Sequence, residues 1–141
     1  MSIQSDLQAV TSEIITARTA LAEAEKARVM QRHELTQAEA RLSAARVALM
    51  ARSDAGTNDT ARRAYAEREL AGDRDEIERL GYSLAYAEIA VIDAATDLRC
   101  AEDHRRYLET VVQLTTSHAT ELAIHASYAD KGDGVGVVPS L

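Results

Sequence analysis

No phenylalanine and no tryptophan occur in the 141 residues, and Tyr65, Tyr82, Tyr86, Tyr107 and Tyr128 supply every aromatic ring. A core without large rings must be built from small side chains at closely approaching elements, and alanine, the commonest residue here, favours helix on helix. The one proline is Pro139, and neither Gly nor Pro falls between Ser5 and Gly56. That leaves no breaker in the span and predicts a single uninterrupted helix. Cys100 is the lone cysteine, which excludes an internal disulfide or a cysteine metal cluster and fits a reducing, cytoplasmic setting. The N-terminus lacks a basic segment followed by an apolar one, and no apolar run approaches the ~18 residues of a membrane span. Neither secretion nor membrane insertion is expected.

Positive charge is also short. The formal net charge is -7, and it is unevenly placed: residues 1–55 carry seven acids and seven bases, residues 56–141 sixteen acids and nine bases. Lys26 and Lys131 are the only lysines. Non-specific affinity for DNA or RNA rests on Lys and Arg neutralising phosphates, so a chain of this sign is a poor general binder of nucleic acid.

What is present is periodicity. Ile3, Leu7, Val10, Ile14, Ala17, Leu21, Ala24, Arg28, Gln31, Leu35, Ala38, Leu42, Ala45 and Leu49 follow one another in steps of three and four. This is the seam of a coiled coil sustained over more than six heptads, with only Arg28 and Gln31 interrupting it. A second seam in the same alternation runs Ile77, Leu80, Leu84, Ala87, Val91, Ala94, Leu98, Ala101, Arg105, Leu108, Val112, Thr115, Ala119 and Leu122. Between them Gly56-Thr57-Asn58-Asp59 reads as a turn, with Asn58 or Asp59 placed to cap a new helix. Gly72 followed by Asp73 and Glu76 reads as a further boundary with a capping box.

The expected architecture is all-α: a long antiparallel two-helix coiled-coil hairpin with a short connecting helix, assembling into a helical bundle. Its single domain covers 1–127, with helices near 5–54, 60–71 and 74–126, and residues 128–141 form a flexible Gly-rich tail.

Each seam helix also carries apolar residues outside its seam. Tyr82, Ala85, Tyr86, Ile89 and Ile92 lie beside the second seam, and Ile15 and Val29 lie one position past the first. A helix apolar over most of its circumference needs covering over most of it, so these seven residues are the expected self-association surface, a homodimer being favoured over larger assemblies. Arg28 and Arg105, charges at seam positions, either fix register and oligomer state or reach out to a neighbouring carboxylate.

Chemistry is harder to find. His118 and His125 share a helix face with Glu121 between them, but the paired E-x-x-H pattern of carboxylate-bridged bundle sites is missing. The run Gly132-Asp133-Gly134-Val135-Gly136 follows a helix instead of preceding one, the wrong order for a phosphate loop. No nucleophile has a recognisable context, so no catalytic residue, metal site or cofactor is expected. At the hairpin tip Arg52, Asn58, Arg62 and Arg63 form the expected partner-binding group, among carboxylates that account for much of the clustering by simple pairing.

The stretch Gly56-Thr57-Asn58-Asp59-Thr60-Ala61-Arg62-Arg63-Ala64, followed by a short helix and then a long Leu/Ala/Glu/Arg heptad helix, resembles small coiled-coil accessory proteins of tailed bacteriophages and their prophages. The likeness covers residues 50–115 and rests on a Gly-x-Asn turn with an Arg a few residues on, here Asn58 and Arg62. This chain departs from that pattern in bearing Tyr and almost no Lys. The resemblance implies a phage accessory role and supplies no active residue.

Three functions fit these observations. The first is a non-enzymatic binding or scaffolding protein that contacts itself and an unidentified protein partner. The second is a nucleic-acid accessory factor using the Arg-bearing tip, and the third is a counter-defence inhibitor that binds a host component.

Overall fold

A computed structural model of the chain describes residues 2–52 and 55–135, with side chains as far as residue 129. Helix α1 spans Ile3–Met50, α2 Asp59–Glu69 and α3 Ala71–Val135. Helix α1 packs against α3, an all-α helical hairpin as expected. The uninterrupted α1 follows from its freedom from Gly and Pro. No described helix is long and apolar enough to cross a membrane. The chain divides into two compact units, Met1–Ile15 with Arg99–Leu141, and Thr16–Leu98.

In the first unit the seam closes on Val10, Ile14, Ala101 and Leu108, all buried, with Ile3, Leu7 and Val112 half-buried around them. Removing a Val, Ile or Leu side chain from water contributes about 1.5–3 kcal/mol. Arg105, on the same seam, is exposed and turns its guanidinium to Glu109, one helical turn on, at 2.9 Å. This is the reach to a neighbouring carboxylate, one of the two roles open to it. From Gln113 to Ala129 every residue is exposed: Thr115 still lines an open cleft with Ile3, Leu7 and Val112, while the seam positions Ala119 and Leu122 stand in solvent. Periodicity marks a face as suited to burial without supplying the element that buries it.

In the second unit all ten seam positions of α1, from Ala17 to Leu49, are half-buried or buried, and so are the seven of α3 from Ile77 to Leu98. Arg32 and Glu88 close the flank of this pairing at 3.1 Å. Gln31 sits half-buried at its seam position, and its Oε1 is buried with no hydrogen-bond partner. The buried residues described in this unit are Ala38 on α1, Ala55 in the turn, Ala66 on α2 and Leu70 between α2 and α3.

The joint between α2 and α3 falls at Leu70, two residues before the expected boundary at Gly72. Leu70 adopts φ -102 and ψ 9, yet its N–H donates to Ala66 O and its own carbonyl accepts from Arg74 N, both at 3.0 Å. Helical hydrogen bonding therefore passes through the joint. Gly72 and Asp73 lie in the first turn of α3, and Glu76, placed in a capping box by the sequence pattern, instead takes Arg79. At its other end α3 runs to Val135, past the boundary expected near 126. The remainder of the expected tail, 136–141, lies outside the described residues.

Candidate interaction surfaces

Two groups of residues stood out in the sequence, and the structure treats them differently. At the corner, Gly56 has φ +133, a conformation that an L side chain adopts only under strain. A Cβ there would also meet Ala61 Cβ at 2.7 Å. Two residues on, the Asn58 side chain accepts from Ala61 N at 2.8 Å, capping α2. Arg62 completes the turn: its Nε donates to Gly56 O at 3.1 Å in a partly buried setting, and its backbone N–H donates to Asn58 O at 3.0 Å. Gly56, Asn58 and Arg62 are thus three parts of one corner, and that is the local meaning of the Gly-x-Asn spacing with its following Arg.

The remaining tip residues are placed separately. The Arg52 carbonyl accepts from Ala55 N at 3.2 Å, closing the exit from α1. Arg63 lies on the exposed side of α2. Of the four expected tip residues, then, Asn58 and Arg62 have polar atoms engaged in holding the turn, and Arg63 has its side chain in solvent.

Glu67 on α2 is one of the carboxylates that lie among the tip arginines. Its carboxylate takes Arg46 of α1 at 3.4 Å and, with its other oxygen, Arg74 of α3. The three charges rim a cleft of about 240 Å³ floored by Leu42, Ala66, Leu70 and Ile77. Each partner is more than a third exposed, so this bridge sets geometry more than it adds stability. Three residues on separate helices leave no spacing signal in a sequence.

The second group lies on α3. Tyr82, Ala85, Tyr86, Ile89 and Ile92 follow i, i+3, i+4 spacing on the side away from the seam, and the four large ones are 61, 73, 53 and 64% exposed. They make one contiguous apolar stripe. Its polar edge is ordered: Tyr82 Oη donates to Glu78 Oε1 at 3.4 Å, and Arg79 holds Glu76 through two bonds, Nε to Oε2 at 3.0 Å and Nη2 to Oε1 at 2.5 Å. That hydrogen bond from Arg79 holds the Glu76 carboxyl below the usual carboxylate range, and the same contact raises the Arg79 guanidinium. Val29, 63% exposed, belongs to α1 in the same unit. Ile15, 60% exposed, belongs to the other unit. The stripe on α3 is therefore continuous without them.

Elsewhere His118, Glu121 and His125 are all exposed, and among the described residues no three His, Cys, Asp or Glu side chains are grouped to hold a metal ion. Cys100 is exposed on α3.

No family model matches the chain, and comparison with curated proteins and with solved structures finds no match either.

Proposed function

We propose that this chain is a non-enzymatic helical binding or scaffolding protein that works through protein–protein contacts and associates with itself. One observation carries the reading: Tyr82, Tyr86, Ile89 and Ile92 are each more than half exposed on one face of α3. Isolated apolar residues on a surface mean little, but four large ones in helical register form a patch of the kind that marks an interface. Covering each contributes roughly 1.5–3 kcal/mol, enough to hold a dimer once the cost of association is met.

The test is molar mass in solution, by size-exclusion chromatography with light scattering, for wild type and Ile89→Glu. The expected result is an oligomer that the variant reduces to a 15.3 kDa chain with its helicity intact. A wild type already monomeric at tens of micromolar overturns self-association and turns the stripe into a surface for another protein.

A further inference from the structure

The charges beside the α3 stripe say how a second copy sits on it. This step rests on the self-association just proposed and specifies its geometry. The stripe runs Tyr82, Ala85, Ile89, Ile92, alternating steps of three and four, so two copies can interdigitate as a coiled-coil seam does. If the second helix runs antiparallel with its midpoint opposite Ala87, Tyr82 of each copy packs on Ile92 of the other, and Ala85 packs on Ile89. A large residue then faces a small one in the two inner layers.

That register also settles the flanks. On one side Tyr86 meets Tyr86 of the second copy at the two-fold axis, and Arg79 of each copy comes opposite Asp93 of the other. Arg79 brings a guanidinium already held by Glu76 through Nε and Nη2, with its Nη1 left over from those two bonds. Asp93 is exposed on the same face. On the other side Glu88 approaches its symmetry mate, but each Glu88 is matched within its own chain by Arg32 at 3.1 Å. Sliding one copy by a heptad carries Asp93 onto Tyr86 and removes both ion pairs. A parallel, in-register arrangement turns each copy's Arg79 and Asp93 flank toward the opposite flank of the other, so that Asp93 comes beside Glu88 and no Arg79–Asp93 pair forms. Like charges across an interface are what excludes a wrong geometry.

We infer that the occupant of the Tyr82–Ile92 stripe is a second copy of this chain, antiparallel along α3, with Arg79 of each copy paired to Asp93 of the other. The arrangement is isologous, as a closed two-fold dimer requires. Neither Ile15 nor Val29 takes part.

Charge exchange tests it on the full chain. Asp93→Arg alone and Arg79→Asp alone each set two like-charged pairs in the interface, and each is expected to raise the dimer dissociation constant at least about tenfold by sedimentation equilibrium. The double variant restores both pairs with opposite sense and returns the constant to within about threefold of wild type. An equimolar mixture of the two single variants forms a mixed dimer more readily than either forms its own. Circular dichroism of every variant checks that the helices persist. If Ile89→Glu breaks the dimer but the double variant fails to restore association, the stripe is still the interface and the antiparallel register is wrong. If wild type is monomeric, the second copy is not the occupant and the self-association reading falls with it.

Discussion

Arg62 Nε donates to the carbonyl oxygen of Gly56 across 3.1 Å, so an arginine expected to bind a partner at the hairpin tip is holding the turn that carries it. Arg62→Ala is therefore expected to lower stability by about 0.5–1.5 kcal/mol, the usual worth of one intramolecular hydrogen bond. Arg63→Ala, one residue on and exposed, is expected to stay within about 0.5 kcal/mol of wild type. Urea denaturation of both variants separates the two roles. The comparison also decides how the nucleic-acid reading is tested: loss of DNA binding in Arg62→Ala could report an altered corner, whereas loss in Arg63→Ala reports a lost charge.

Gly56 sets the most demanding condition in the corner. With φ at +133 and 2.7 Å between a built Cβ and Ala61 Cβ, Gly56→Ala combines backbone strain with a collision that a rigid helix cannot relieve. The expected cost is about 1–3 kcal/mol. Asn58→Ala removes the cap and costs about 1 kcal/mol. Thermal melts of the two variants check both figures. A Gly56→Ala protein as stable as wild type would mean that the corner relaxes into another turn.

How much of this was legible in the sequence divides along physical lines. The heptads marked the α1 seam positions from Ala17 to Leu49, all of them half-buried or buried, because spacing decides which face of a helix turns toward a partner that is there. The turn at Gly56 and the cap at Asn58 were also readable, since φ above zero and a capping oxygen are local requirements. The bond from Arg62 to Gly56 and the two-sided bridge of Glu67 were not, because they depend on how the corner folds back in three dimensions. Gly72 misled by two residues: its neighbours carry terminating chemistry, yet the hydrogen bonds through Leu70 continue. Beyond Val112 the second seam stays in register, yet Thr115, Ala119 and Leu122 are all exposed.

Gln31 gives a prediction in the stabilising direction. Its Oε1 is buried without a hydrogen-bond partner at a seam position where every heptad neighbour but Arg28 is apolar. An unpaired buried oxygen costs about 1–3 kcal/mol. Gln31→Leu, similar in size and apolar, is expected to raise the unfolding free energy by about 1 kcal/mol or more, seen as a higher denaturant midpoint at constant slope. A lower midpoint would show that Gln31 serves the register of the helix pair instead of opposing its stability.

Arg105 is the converse case, a charge at a seam position that has left the seam. It pairs with Glu109 along its own helix at 2.9 Å, an exposed contact worth about 0.3–0.5 kcal/mol. Arg105→Ala should therefore cost little more than that. Arg105→Leu places an apolar side chain between Ala101 and Leu108, both buried, and is expected to gain stability instead.

The Glu76–Arg79 contact predicts a pH dependence whose sign follows from the direction of the shift. The hydrogen bond from Arg79 holds the Glu76 carboxyl below the usual carboxylate range, so the folded chain keeps Glu76 ionised at pH values where the unfolded chain begins to protonate it. The contact's contribution is complete above that ordinary range and is lost as pH falls through the depressed value. Arg79→Ala is expected to bring the Glu76 titration back up toward the ordinary range, followed by the carboxyl carbon shift in NMR. Asp93→Arg supplies the control that links this pair to assembly. It leaves Glu76 and Arg79 untouched, so the Glu76 titration should hold its depressed midpoint in the monomer that Asp93→Arg is expected to produce. A midpoint that instead rises when the chains separate would mean that the contact is made by the dimer and not by α3 alone.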